Sequence, residues 1–106
     1  MVSFQDFKKL EIKVAQVKEV NDHPNADKLV VLKIDLGNEE RQIVAGIKAN
    51  YSPEDLAGKQ IAVITNLEPA TIRGVQSNGM LLACQDERGI SVLQPDRQVS
   101  VGSAVK

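Results

Sequence analysis

Three side chains in this sequence could attack or activate a substrate: the imidazole of His23, the hydroxyl of Ser77 and the thiol of Cys84. Nucleophilic catalysis needs a nucleophile within reach of a base, with a third group orienting that base. Metal chemistry needs several His, Cys or carboxylate ligands at suitable spacing. With one His, one Cys and no clustered ligands, the chain supports neither. His23 stands beside Pro24 and reads as a turn residue. Cys84 lies inside an apolar run and reads as a small buried hydrophobe, and one cysteine excludes a disulfide. Gly74, Gly79 and Gly89 lack the spacing of a phosphate-cradling loop or a dinucleotide fingerprint. Catalysis, metal and cofactor are therefore not expected.

Recognition is the chemistry left, and it concentrates in Asn66-Leu67-Glu68-Pro69-Ala70-Thr71-Ile72-Arg73-Gly74-Val75-Gln76-Ser77-Asn78-Gly79-Met80. This polar, glycine-punctuated stretch separates the apolar runs Gln60 to Thr65 and Leu81 to Cys84, so it must cross from one strand to another over the surface. A connection of that length in a small domain is a place for function.

The elements that must position it are strands. Leu10, Ile12 and Val14 alternate as inward positions, and the pattern then slips so that Val17 and Val20 become apolar, which predicts a bulge in a first strand that bends across a small barrel. Residues 21–27 read as a loop around Pro24. Leu29 to Leu36 is a second strand with Val30, Leu32, Ile34 and Leu36 on one face. Gly37 to Glu40 turns into a third strand, Gln42 to Ile47. Ser52-Pro53-Glu54-Asp55-Leu56-Ala57-Gly58 carries an N-cap, a proline at the first position, two early acids and a closing glycine, which predicts a short helix plugging one barrel end. Gln60 to Asn66 and Met80 to Gln85 supply strands four and five, with weaker pieces at Ile90 to Leu93 and Val99 to Val101 in a C-terminal β extension. Five strands with one short helix between the third and fourth match an all-β OB-fold, a Greek-key barrel. Fold alone does not give function.

The 106 residues fit one domain, of which about 86–106 form the extension, and 42% hydrophobic residues can build a core unaided. No run is apolar enough to span a bilayer, and residues 1–6 lack the regions of a signal peptide, so a cytoplasmic location and no membrane are expected. Thirteen basic and fourteen acidic residues are evenly spread, with no basic tail. That argues against a general coat on nucleic acid, whose affinity comes from neutralised phosphates.

Asp6-Phe7, Leu10-Glu11-Ile12-Lys13-Val14, His23-Pro24-Asn25-Ala26-Asp27-Lys28-Leu29, Val44-Ala45-Gly46-Ile47, Asn66-Leu67, Ile72-Arg73-Gly74 and Ser77-Asn78-Gly79-Met80 together resemble the structure-specific tRNA-binding domain. That family occurs as free-standing dimers and as the C-terminal domain or beta chain of methionyl-tRNA synthetase. The likeness covers nearly the whole chain. It implies an OB-fold module that grips the outer corner of tRNA by shape, without catalysis, in cis or trans to a synthetase catalytic chain. A near-neutral protein can do this through stacking, 2′-hydroxyl contacts and a few placed cations. The resemblance also implies that the C-terminal extension, with residues near the N-terminus, forms a two-fold homodimer interface; the alternative is that it folds back on its own barrel. Met1 suits a free-standing protein and an excised synthetase domain equally.

On this resemblance the tRNA-binding candidates lie where the loops converge. Lys28 closes the loop between strands one and two and can reach a phosphate, unless it is simply a solvated lysine. Arg73, beside Gly74, can fork onto phosphate or stack on a base. Ser77 and Asn78 offer short polar side chains, Gly79 permits close backbone approach, and Met80 supplies either a flexible apolar contact or a core residue. Asn66 either binds RNA or fixes the turn before Pro69. Lys33 and Lys48 are secondary candidates on outward strand positions. Many relatives are more basic after the Asn-Leu pair, whereas Glu68-Pro69-Ala70-Thr71 leaves Arg73 as the segment's one cation, which predicts modest affinity. The alternative function is a chaperone-like, protein-binding OB-fold dimer, since a related secretion-chaperone family shares the fold.

Overall fold

The computed structural model describes residues 1–106. Its elements run α1 (Phe4–Phe7), β1 (Ile12–Asp22), β2 (Val30–Asp35), β3 (Glu40–Ala45), α2 (Pro53–Leu56), β4 (Gln60–Ile64), β5 (Ala70–Ile72), β6 (Val75–Ser77), β7 (Met80–Leu81), β8 (Ala83–Asp86) and β9 (Gly89–Val92). Five strands form one antiparallel sheet in the order β3-β2-β1-β4-β7, and β5-β6 and β8-β9 are separate hairpins. The sheet closes on itself where Asn78 N–H donates to Gln42 O at 2.9 Å and Val44 N–H to Ser77 Oγ at 2.9 Å. This is the all-β, OB-like five-stranded barrel that the strand pattern predicts.

The first strand works as expected. It pairs with β4 through Ile12–Gln16 and with β2 through Gln16–Asp22, and the register shifts between Val17 and Glu19. The extra residue bends β1 so that one strand serves two neighbours. The phase before the bulge differs from the sequence reading. Ala15 and Val17 enter the core cluster, whereas Ile12 and Val14 are buried outside it and Leu10 is 41% exposed. The physical reason is the C-terminal segment, which returns alongside β1: Val14 N–H bonds Ser103 O, Gly102 N–H bonds Val14 O, and Val105 N–H bonds Ile12 O. This half of β1 is thus paired along both edges, by β4 and by the C-terminal segment, and residues on both of its faces are buried.

The plug helix is built as its sequence dictates. Ser52 and Asp55 form a reciprocal capping box, Pro53 occupies the first turn, and Leu56 is fully buried as a member of the core cluster. Beyond it, the expected strand at Met80–Gln85 divides. β7 ends at Leu81, and β8 leaves the barrel to pair with β9, so all four β8 residues are exposed, Cys84 among them. The apolar run around Cys84 misled the burial expectation because it spans this departure. Residues 99–101 are not a strand, because the Gln60 side chain bonds both Val99 N–H and Val99 O and takes the place of a ladder.

Two features escaped the sequence reading. A four-residue helix, α1, capped by Ser3, precedes the barrel. Its Phe4 and Phe7, with Leu10 and Val105, line an apolar groove of about 330 Å³. The stretch between β4 and β7 is not a bare crossing either, since its middle folds into the β5-β6 hairpin. No helix is long and apolar enough to cross a membrane.

Candidate nucleic-acid interface

The β5-β6 hairpin turns through Arg73 and Gly74, with φ of +52° and +88°. Two successive residues at positive φ make the tight turn whose twist matches the flanking strands. Arg73 is the chain's one non-glycine residue in that region, and it sits at the hairpin tip. Opposite it stands the loop between β1 and β2. Ala26, Asp27, Lys28, Leu29 and Arg73 line one cleft of about 400 Å³. The two best sequence candidates for phosphate contact, 45 residues apart, thus meet in one place.

Hydrogen bonds hold the two sides of the cleft. His23, only 6% exposed, has Nε2 2.9 Å from Ile72 O, and its Nδ1 accepts from Asn25 N–H at 2.9 Å. Asn25 Nδ2 donates to Arg73 O at 3.0 Å, and Arg73 Nη2 donates back to Asn25 O at 3.3 Å. His23 is therefore more than a turn residue. Its bonds join it to neither Ser77 nor Cys84.

The other candidates separate by what their side chains already do. Ser77 is 4% exposed; its hydroxyl accepts from Val44 N–H and donates to Gly79 O, so it closes the barrel instead of meeting solvent. A Cβ on Gly79 would lie 3.1 Å from Ile64 O and 3.3 Å from Ile43 Cγ2, so this glycine answers to barrel packing. Asn66 spends its amide on Glu11 N–H and Lys9 O, and fixes the approach to β1 rather than the turn before Pro69. Met80 is 47% exposed, so it is not the core residue that one reading of the sequence allows. Lys33 lies 3.9 Å from Glu19 and Lys48 3.2 Å from Asp22, so both are partly neutralised. Lys48 sits in a turn, not on a strand, because β3 ends at Ala45. Lys28 and Arg73 form no ion pair.

Arg41 was not anticipated. It shares a polar groove of about 470 Å³ with Glu39, Gln42, Thr65 and Asn78, and its guanidinium bonds Glu39 at 2.8 Å and the carbonyls of Thr65 and Asn78. The Arg41 hydrogen bond holds the Glu39 carboxyl below its usual range. Glu39 and Arg41 therefore neutralise each other near the hairpin base. The outward positions of β1, β2 and β3 here include Glu19, Lys33, Asp35 and Glu40. The chain's three aromatic residues are elsewhere, Phe4 and Phe7 in α1 and Tyr51 behind β9, where its hydroxyl accepts from Val92 N–H. This face offers no aromatic platform for stacked bases.

A barrel with converging loops and two unpaired cations in one cleft is the kind of surface that can meet the backbone of a folded nucleic acid. Residues 12–104 match the family model described as "Putative tRNA binding domain", and the chain belongs to that family of tRNA-binding domains. It is 51% identical over 105 residues to a methionine–tRNA ligase of Thermococcus kodakarensis, covering 99% of this chain and 14% of the ligase. The curated relatives of this kind are thus far longer than the chain. Among solved structures it resembles a MetRS-related protein from Pyrococcus horikoshii, with TM-score 0.92, 36% identity and coverage of 100% and 98% of the two chains. It also resembles the chaperone CsaA from Picrophilus torridus, with TM-score 0.93, 29% identity and full coverage of both.

Proposed function

We propose that the chain captures tRNA by shape, without catalysis of its own, and delivers it to a methionine–tRNA ligase, either as part of that enzyme or as a separate cytoplasmic partner. The observation that carries this reading is the cleft where Lys28 and Arg73 converge, neither of them in an ion pair although the Asp27 carboxylate lines the same cleft, in a chain of the tRNA-binding family. Arg73 and Lys28 meet backbone phosphates, and Asn78 and Met80 extend the contact along the hairpin base. Lys33 and Lys48 add weaker, ion-paired charge at the margin. Ser77, Gly79 and Asn66 hold the surface in shape from behind.

The apolar groove of Phe4, Phe7, Leu10 and Val105 supports a homodimer, with the N-terminal helix and the end of the C-terminal extension meeting a second copy. A second reading, a chaperone-like dimer that binds protein, is favoured by the similarity to CsaA. Titration with folded tRNA at several salt concentrations, against linear single-stranded RNA and duplex DNA as competitors, separates the two. Preference for tRNA that survives the competitors is expected. Failure to bind tRNA at low salt would sink the tRNA reading and leave the chaperone-like one.

A further inference from the structure

We infer that His23 and Asn25 are positioning residues for tRNA: they clip the β1-β2 loop to the β5-β6 hairpin, so that Lys28 and Arg73 meet the RNA backbone as a fixed pair. The inference rests on the reading that the Lys28–Arg73 cleft contacts tRNA. The loop from His23 to Leu29 and the hairpin from Ala70 to Ser77 are far apart in sequence. Each would have to be ordered at the moment of binding if nothing joined them, and that ordering subtracts from affinity.

The bonds that join them are placed for this purpose. The Asn25 N–H can only donate, so His23 Nδ1 accepts, and the ring hydrogen sits on Nε2, where it is given to Ile72 O at 2.9 Å. Asn25 then reaches the next carbonyl, that of Arg73, with its side chain, and its own carbonyl takes the Arg73 guanidinium. Two successive hairpin carbonyls are thus gripped on either side of the strained Arg73 backbone. Gly74 supplies the second positive φ of the turn, +88°, which presents the Arg73 carbonyl to Asn25. Pro24, between the two clip residues, fixes its own φ and reduces the freedom of the loop. Lys28 follows three residues after Asn25, and the turn that carries it is closed by Leu29 N–H on Ala26 O and by His23 N–H on Leu29 O. The clip therefore ties the backbone bearing each cation.

A local role for His23, confined to shaping its own turn, is separable by two substitutions. His23→Asn keeps an acceptor near the Nδ1 position for Asn25 N–H but is too short to reach Ile72 O. His23→Gln places an amide donor near the Nε2 position and restores the bond across the cleft. Binding of folded bulk tRNA is measured for both, for Lys28→Ala and Arg73→Ala, and for His23→Asn combined with Arg73→Ala, with thermal unfolding recorded alongside. His23→Asn should weaken binding by about five- to tenfold, the scale of one hydrogen bond. It should leave the salt slope unchanged, whereas Lys28→Ala lowers that slope by about one. His23→Gln should bind within about twofold of the unaltered protein. The loss from His23→Asn should shrink when Arg73 is already alanine, because the two act through one contact. Asn25→Ala, at an exposed residue that no core depends on, should weaken binding in the same way and serves if a His23 variant fails to fold. If Lys28→Ala and Arg73→Ala weaken binding but His23→Asn and Asn25→Ala do not, or if His23→Gln behaves like His23→Asn, the clip is overturned and the cleft stands. If neither cation matters, the cleft reading falls and takes the clip with it.

Discussion

Arg73 holds a left-handed backbone that its side chain does not favour, with φ at +52° on the tip of a two-residue turn. Asparagine tolerates that region better and carries no charge. Arg73→Asn is therefore expected to leave stability unchanged or raise it by up to about 1 kcal/mol, while weakening every tRNA alike by about tenfold. A thermal melt and a tRNA titration on the same sample check both halves, and loss of stability together with unchanged binding would contradict the assignment. Ser77, only four residues on, should behave in the opposite sense. Ser77→Ala leaves the buried Val44 N–H without its partner, which costs about 1–3 kcal/mol. Binding per folded molecule should stay as it was, measured by titration corrected for the folded fraction. The motif Ser77 to Met80 was legible as important from sequence. Its division into residues that close the barrel and residues that face outward was not, because a hydroxyl, an amide and a glycine serve either purpose and only the path of β3 alongside them decides.

At the scale of elements, legibility follows the strength of the local code. α2 could be read because Ser52, Pro53, Asp55 and Gly58 each satisfy a separate demand of a helix end. The bulge in β1 could be read because a slip of phase is visible over eleven residues. The β5-β6 hairpin was hidden, since its strands are three residues each and its turn uses Arg-Gly where Asn-Gly or Asp-Gly would announce it. α1 spans four residues, too few to show a period. Cys84 was misread because hydrophobic runs do not reveal where a strand leaves its sheet. The best-coded element also gives a pH signature. Hydrogen bonds with the Ser52 side chain, and then with its backbone, hold the Asp55 carboxyl below its ordinary value of 3.8, although burial works the other way. The folded state thus favours the charged form, so this contribution is present in full above the unfolded value and is lost as pH falls through the lower folded value. Asp55→Asn should lower the thermal midpoint near neutral pH, and the gap from the unaltered protein should close on acidification below 3.8. A gap that stays constant down to the acid limit would mean that the capping box does not stabilise through its charge.

For the whole molecule, the balance of charge leaves little to bulk attraction. Thirteen cations face fourteen acids, and five of the cations are tied up in ion pairs. One cleft with two free cations is a small footprint for a folded RNA, and a second copy of the cleft would double it. The homodimer proposed above would supply that second copy through the opposite kind of surface. Phe4 is 68% exposed, Phe7 39%, Leu10 41% and Val105 38%, and the first and last turns of the chain bring them into a single groove. Isolated exposed apolar residues need no explanation, but a contiguous set in a groove does. A two-fold pair through this groove would bury both phenylalanines and link two clefts rigidly, so that one tRNA touching both gains from the raised effective concentration of the second contact. Phe4→Ser with Phe7→Ser touches neither the core cluster nor the cleft. It should convert the protein to a monomer by sedimentation while its melting transition stays cooperative. Its affinity for tRNA should fall by well over the factor of about two that losing one of two independent sites would explain. A variant that becomes monomeric yet binds tRNA as before would show that each barrel acts alone. A variant that remains dimeric would place the interface elsewhere, on the exposed β8-β9 hairpin, where Leu93 is also bare.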